Sequence, residues 1–165
     1  PPTVPLVEVV VADQTTEPTR EAAVAFVDGL DRESVVVRDV PGFAATRLSL
    51  ALSVEAMRMI DDGVAGVAAV DRAMERGHDH PVGPLAAADV AGLDARLEQL
   101  EYLAGALGDR FDPPAVLREK VAAGDLGRKS GVGFYRWEGG ERVEPADPDP
   151  TPQLRADSPA DIDDV

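Results

Sequence analysis

The sequence predicts a mainly α-helical protein, a bundle of five helices that follows a short strand–helix–strand unit. Three observations lead to this prediction. Apolar residues recur at helical spacing in five successive segments between residues 43 and 123. Two β-branched runs near the start enclose one further helical segment. Aromatic residues make up only 4% of the 165 residues, and a core of Ala, Val and Leu suits closely packed helices.

The strand–helix–strand unit is predicted over residues 1–38. Leu6–Val11 (LVEVVV) and Ser34–Val37 are short β-branched runs, which are typical of buried strands. Between them, Thr16 is expected to cap a helix that ends near Gly29. Strands joined through a helix pair in parallel, and two parallel strands cannot cover both of their faces. The unit is therefore expected to be part of a larger sheet.

The helical bundle is predicted over residues 39–137. Its helices are expected at Phe43–Asp62, Val67–Arg76, Pro84–Val90, Asp94–Leu107 and Pro114–Ala123. Glycines stand at or just after most of their ends, and the short intervening loops are typical of packed helices. Residues 138–165 are rich in proline and acidic residues, so they are predicted to form a disordered acidic tail.

Composition excludes several functions. The net charge is −15, so nucleic acids and anionic membrane surfaces are not expected as partners. No apolar run approaches the roughly 20 residues of a membrane span. The absence of cysteine excludes disulfides and thiolate sites, and fits a cytoplasmic location. Because the sequence does not begin with Met, it is interpreted as a fragment, a processed product or a trimmed chain.

Three segments combine glycine, proline and charged residues at close spacing: RDVPGFAATRL (Arg38–Leu48), GHDHPVGPLAAADVAGLD (Gly77–Asp94) and GDLGRKSGVGFYRW (Gly124–Trp137). In the first, Pro41 fixes φ and Gly42 permits an unusual backbone angle, so that the chain turns from strand to helix at Phe43. A plain interdomain hinge explains the same residues. Thr46 is expected in the first turns of the following helix.

The other two segments also have two interpretations each. Pro81, Gly83 and Pro84 form a rigid turn into a helix, either as a structural elbow or as part of a pocket. In the third segment, Arg128 and Lys129 lie in a glycine-rich turn, which is either solvated or meets a phosphate or ribose.

His78 and His80 are not predicted to bind a metal. Their spacing directs the two imidazoles to opposite sides of an extended loop, and no third ligand lies nearby in the sequence. No metal site is therefore expected.

In order and spacing, the three segments resemble the hallmarks of the carboxyl-terminal domain of 3-hydroxyacyl-CoA dehydrogenases: DxPGFxxNR, PxGPxxLxDxxGLD and GxKxGxGFY. The resemblance covers about residues 1–137. It implies a helical bundle similar to the 6-phosphogluconate dehydrogenase C-terminal-like fold, after a βαβ remnant of a Rossmann domain. It also implies oxidation of 3-hydroxyacyl-CoA in fatty acid metabolism, with acyl-CoA and NAD as ligands and a homodimer or a separate NAD-binding half as partner.

The resemblance also assigns residues. Lys129 matches a lysine that reaches the nicotinamide cofactor. The substrate pocket is expected to involve Pro41, Gly42, Phe43, Thr46, Pro81, Gly83 and Pro84. Thr46 stands where the family has an asparagine, so the expected contact changes from an amide to one hydroxyl.

The residues that carry the chemistry in the family are not found in this sequence. The catalytic His, which a Glu orients, belongs to an HxFNP-type segment that would lie directly before residue 1, and no G-x-G-x-x-G loop is present. The leading hypothesis is therefore a substrate-pocket and dimerisation half that is inactive alone. The alternative is a non-catalytic oligomerisation or acyl-CoA binding module.

Overall fold

The computed structural model describes residues 5–147 and begins with the strand–helix–strand unit that the sequence predicts. Strand β1 spans Leu6–Val11, helix α1 spans Glu17–Asp28 and strand β2 spans Glu33–Arg38. The two strands pair in parallel along their whole length. The Thr16 hydroxyl accepts a hydrogen bond from the Thr19 amide, so Thr16 caps α1 as expected.

The parallel sheet formed by β1 and β2 leaves much of its apolar surface exposed. Val9 is the one fully buried residue of these two strands, whereas Val10, Val35 and Val36 are each about 40% exposed. Phe26 of α1 is more exposed still. An apolar surface of this kind normally packs against further structure. The exposure agrees with the expectation that the unit is part of a larger sheet.

The five predicted helices of the bundle are all present. They are α2 (Ala45–Asp61), α3 (Val67–Gly77), α4 (Pro84–Ala91), α5 (Leu93–Leu107) and α6 (Ala115–Ala123). Each differs from its predicted bounds by no more than a few residues. A short 3₁₀ turn at Asp109–Phe111, which was not predicted, lies between α5 and α6. Among residues 5–147, no helix is both long and apolar enough to cross a membrane.

One continuous core holds the bundle together. Its largest fully buried members come from α2, α4, α5, α6 and the segment after α6, and include Leu50, Met57, Leu85, Leu93, Leu100, Leu103, Leu117 and Phe134. Mainly leucine side chains fill the space between helices, as the low aromatic content suggested.

The prediction of disorder from residue 138 onward is wrong for residues 138–147. Strands β3 (Tyr135–Glu138) and β4 (Glu141–Pro145) form an antiparallel hairpin. Gly139 and Gly140 both have positive φ, of 59° and 89°, and a Gly-Gly pair favours this two-residue turn. The turn signal was present in the sequence but was outweighed by the acidic composition. The bundle domain therefore extends beyond residue 137, and the rest of the predicted tail, 148–165, lies outside the described residues.

Candidate functional site

The turn before α2 has the unusual backbone that the sequence suggests. Gly42 has a φ of 77°, and a Cβ placed on it would lie 3.2 Å from Leu103 Cδ2. Glycine therefore satisfies both the backbone angle and the close approach of α5. Phe43 also has a positive φ, of 46°, which is uncommon for a bulky residue and strains the backbone. The strain at Phe43 was not foreseen from the sequence.

A carboxylate from the sheet holds the start of α2. Glu8 Oε1, in β1, accepts hydrogen bonds from the Ala44 and Ala45 amides at 2.8 and 3.0 Å. Helix α2 has no side-chain cap of its own, and a negative charge stabilises a helix N-terminus. Thr46 lies in the first turn of α2, as predicted, and is exposed. The sheet is therefore joined to the bundle beside the turn that carries Thr46.

Four of the seven residues expected to form the substrate pocket lie in two separate hollows. Pro41, Gly42 and Phe43 share a hollow of about 320 Å³ with Tyr102 of α5. Pro84 lines a different hollow of about 280 Å³, which we call the α2–α4 groove; its other lining residues are Leu48, Ser49, Leu52, Ser53, His80, Val82 and Ala87. Neither hollow is lined by the remaining three expected residues, Thr46, Pro81 and Gly83.

A further hollow lies at the carboxyl ends of β1 and β2. It is lined by Val11, the last residue of β1, by the following residues 12–14, and by Arg38, the last residue of β2, with Asp39. The carboxyl edge of a parallel sheet is where open α/β proteins bind ligands. The candidate site thus combines this edge of the sheet with the turn into α2.

The proline–glycine segment before α4 is organised by a buried carboxylate that sequence reasoning missed. Asp71 of α3 is 1% exposed and accepts hydrogen bonds from the Leu85 and Ala86 amides at 2.8 and 3.0 Å. It therefore caps α4 from another helix. A Cβ on Gly83 would lie 2.2 Å from Asp71 Cγ, so only glycine fits there. These contacts give Gly83 the role of a structural elbow.

A second buried carboxylate organises the glycine-rich segment after α6. Asp89 of α4 accepts hydrogen bonds from the Phe134 amide, the Tyr135 amide and the Trp137 indole, each at 2.9 Å. A Cβ on Gly133 would lie 2.1 Å from Asp89 Oδ1. The motif glycines therefore allow the backbone to approach Asp89, besides allowing it to turn.

The two carboxylates are linked through Tyr135. Its amide donates to Asp89, and its hydroxyl donates to Asp71 Oδ2 at 3.0 Å. Burial raises the pKa of both carboxyl groups, although their hydrogen bonds act in the opposite direction. Burial, with Asp71 close by, likewise raises the pKa of the Tyr135 hydroxyl. This network joins α3, α4 and β3. The one sequence signal for Asp71 was its position on the apolar side of α3.

Lys129 lies in an exposed turn and already has a partner. Its ammonium group contacts both carboxylate oxygens of Asp94 at 2.5 Å, and this hydrogen bond lowers the pKa of the Asp94 carboxyl. The lysine side chain is 51% exposed, so a cofactor phosphate or ribose has access to it. One cation is insufficient to hold a dinucleotide, and the sequence has no glycine-rich phosphate loop. The position and exposure of Lys129 are therefore compatible with one contact between this chain and NAD.

No metal centre was expected at His78 and His80. His78 is exposed and His80 is partly buried at the edge of the α2–α4 groove. In residues 5–147 no three His, Cys, Asp or Glu side chains are grouped closely enough to hold a metal ion.

Comparison with known proteins identifies relatives of this chain. The family model for the 3-hydroxyacyl-CoA dehydrogenase C-terminal domain matches residues 42–137. A probable 3-hydroxybutyryl-CoA dehydrogenase of Bacillus subtilis is 42% identical over 138 residues, which are 83% of this chain and 48% of that protein. A similar protein of Deinococcus radiodurans is 39% identical over 137 residues, 82% of this chain and 49% of that protein.

A solved structure shows the same fold. The crystal structure of (S)-3-hydroxybutyryl-CoA dehydrogenase from Ralstonia eutropha superposes with a TM-score of 0.79 at 37% identity, and the match covers 83% of this chain and 49% of that one. The chain thus spans about half the length of the relatives that it matches.

Proposed function

Because the chain belongs to the 3-hydroxyacyl-CoA dehydrogenase family, whose C-terminal domain it contains, we propose that it supplies the substrate-pocket and dimerisation half of an enzyme that oxidises 3-hydroxyacyl-CoA to 3-oxoacyl-CoA. NAD is the hydride acceptor in this proposal. The observation that carries it is the incomplete parallel sheet, which is joined to the bundle at the turn of residues 39–46.

In this proposal most of the chemistry lies outside the described residues. NAD, when bound, accepts a hydride from C3 of the substrate, and a His in another part of the enzyme takes the hydroxyl proton. The part of the sheet that binds the dinucleotide completes the surface left exposed at Val10, Val35 and Val36. Lys129 adds one cationic contact to NAD at the expense of its pairing with Asp94.

The chain's own task is to bind and orient the acyl-CoA. The turn of Pro41, Gly42 and Phe43 forms one wall of the site, and Thr46 offers a single hydroxyl to the substrate from the first turn of α2. Pro81, Gly83 and Pro84 shape the acyl end of the pocket through their elbow. The active assembly is a homodimer or a pair with a separate NAD-binding half, located in the cytoplasm.

The test is NADH oxidation with acetoacetyl-CoA as the substrate. The chain alone should show no rate above background, because the catalytic His is not in this sequence. The chain joined to the NAD-binding half of the Bacillus subtilis relative should turn over. Turnover by the chain alone would refute the inactivity, and a folded, NADH-binding fusion without turnover would refute the catalytic role.

Thr46 favours a second candidate, a non-catalytic oligomerisation or acyl-CoA binding module. Its hydroxyl makes no hydrogen bond to another residue of the part that the structure describes, and the family has an asparagine there. This alternative predicts an inactive fusion that becomes active in the T46N variant. Stabilisation of the chain by acyl-CoA without turnover would indicate a binding module, and a strict monomer in sedimentation would argue against oligomerisation.

A further inference from the structure

Arg96, near the start of α5, is a cation without a carboxylate partner among the residues that the structure describes. Its Nη2 atom lies 3.4 Å from Ser49 Oγ and its Nη1 atom lies 3.4 Å from Gln99 Oε1. Its Nε atom is buried and has no hydrogen-bond partner. Among residues 5–147, Arg96 takes part in no ion pair. In a chain with 31 acidic and 16 basic residues, a half-buried arginine without a carboxylate is unexpected.

No carboxylate among residues 5–147 offsets the energetic cost of burying Arg96, whose hydrogen bonds go to the uncharged Ser49 and Gln99. Desolvation lowers the pKa of its guanidinium group, and no neighbouring charge acts in the opposite direction. Uncompensated charges of this kind concentrate at functional sites. The planar guanidinium group is suited to bind a carboxylate through two parallel hydrogen bonds. A carboxylate that the described residues do not supply would therefore suit Arg96 as a partner.

Ser49 connects Arg96 to the α2–α4 groove, because it lines the groove and contacts the guanidinium group. The groove is otherwise mainly apolar, with Leu48, Leu52 and Val82 among its lining residues. Its volume of about 280 Å³ is near the lower limit of small-molecule sites, roughly 300 Å³. That volume suits a short acyl chain and not the nucleotide part of coenzyme A. A ligand that is apolar along its length and anionic at its end matches this arrangement.

We propose that Arg96 is a specificity-determining residue, which gives the enzyme a preference for CoA thioesters whose acyl chain ends in a carboxylate. This inference rests on the proposed function. The apolar part of the acyl chain lies in the α2–α4 groove, and its terminal carboxylate accepts hydrogen bonds from Arg96 beside Ser49. The net charge of −15 disfavours an additional negative charge on the ligand, so a preference of this kind requires a local cation.

The test compares two thioesters of equal chain length, glutaryl-CoA and pentanoyl-CoA, by titration calorimetry with the full chain. Wild type should bind glutaryl-CoA about tenfold more tightly, which corresponds to about 1.4 kcal/mol. The R96M variant should lose this preference, and R96K should retain part of it. As a matched control, R118M removes an exposed arginine that pairs with Glu101 and should leave the preference unchanged. Circular dichroism checks that each variant is folded.

Several outcomes would overturn the inference. Equal affinities of wild type for the two thioesters would do so and leave the proposed function standing, whereas no binding of either thioester would overturn both. If R96M weakens binding of free coenzyme A as much as that of glutaryl-CoA, the anion is a phosphate. If R96M changes only the sedimentation behaviour, the partner is an acidic side chain of a second copy.

Discussion

At the scale of single residues, two buried aspartates explain why key positions of the second and third sequence motifs hold glycine. Asp71 and Asp89 each accept three hydrogen bonds, from donors in α4 and in the segment after α6. Gly83 and Gly133 stand where any Cβ would collide with these carboxylates. The glycines of the second and third motifs therefore serve close packing around buried charge.

The D89N variant tests the role of Asp89. Asparagine keeps the shape, but its NH₂ group would face one or more of the three donors that Asp89 satisfies. We expect the unfolding free energy to fall by about 1–3 kcal/mol. The matched control is D94N, since Asp94 pairs with Lys129 at the surface and its loss should destabilise the fold much less than D89N does. Urea denaturation measures both, and equal losses would contradict the account.

The G83A variant tests the elbow. Its Cβ would lie 2.3 Å from Asp71 Cβ, so that the helix α4 cap has to move, at a cost of about 1–3 kcal/mol. In the control G77A, no atom lies within 4 Å of the added Cβ, and the melting temperature should stay level or rise. A G83A protein as stable as wild type would show that the elbow tolerates a side chain.

The raised pKa values of Asp71 and Asp89 predict a pH dependence. The folded chain takes up these protons at a higher pH than the unfolded chain does. Their stabilising contribution is therefore complete below the unfolded pKa, about 3.9, and is lost as pH rises through the folded pKa. The stability gap between wild type and D89N should be widest at about pH 4 and should narrow as pH rises toward neutral. If the stability difference between wild type and D89N instead narrows on acidification, the hydrogen bonds lower the pKa of Asp89 by more than burial raises it.

At the scale of elements, the helices and the two parallel strands could be predicted from the sequence, whereas the contacts between distant segments could not. The five bundle helices and the two parallel strands follow from apolar spacing, which is a local property. Glu8 caps α2 by accepting a hydrogen bond from an amide 36 residues away along the chain. Asp71 caps α4 by accepting one from an amide 14 residues away. No sequence pattern pairs such residues in advance.

The hairpin of β3 and β4 shows how composition misled the prediction. Arg142 of β4 donates to Glu75 at 2.9 Å and lies over the Tyr135 ring, and the buried Lys120 pairs with Asp147 at 2.9 Å. These ion pairs attach an acidic, proline-containing segment to the bundle. Charged residues of this segment, Arg142 and Asp147, thus make the attachment.

The E8A variant tests the joint between sheet and bundle. Removal of the Glu8 carboxylate leaves two amides at the start of α2 without their acceptor. We expect a loss of about 1 kcal/mol in unfolding free energy, the usual effect of removing a helix cap. The control E55A removes an exposed carboxylate from the same helix and should change stability by less than about 0.5 kcal/mol. If E8A has the same unfolding free energy as wild type, the contact of Glu8 with the start of α2 does not stabilise the fold.

At the scale of the whole molecule, the chain combines a buried helical core with a two-stranded parallel sheet whose apolar surface is partly exposed. Leu50, Leu85 and Phe134 are fully buried, whereas Val10, Val35 and Val36 of the sheet are each about 40% exposed. The sequence was sufficient to foresee this contrast, because two parallel strands cannot cover both of their faces. The division of the expected pocket residues between two hollows was not foreseeable, since it depends on how α2, α4 and α5 pack.

The most direct test of the central claim is amide hydrogen exchange in β1 and β2, measured for the chain alone and for its fusion to the NAD-binding half of the Bacillus subtilis relative. Completion of the sheet should slow exchange in both strands, while the amides of α5 and α6 change little and serve as the internal reference. Exchange in β1 and β2 that is equally fast in the two proteins would contradict the account.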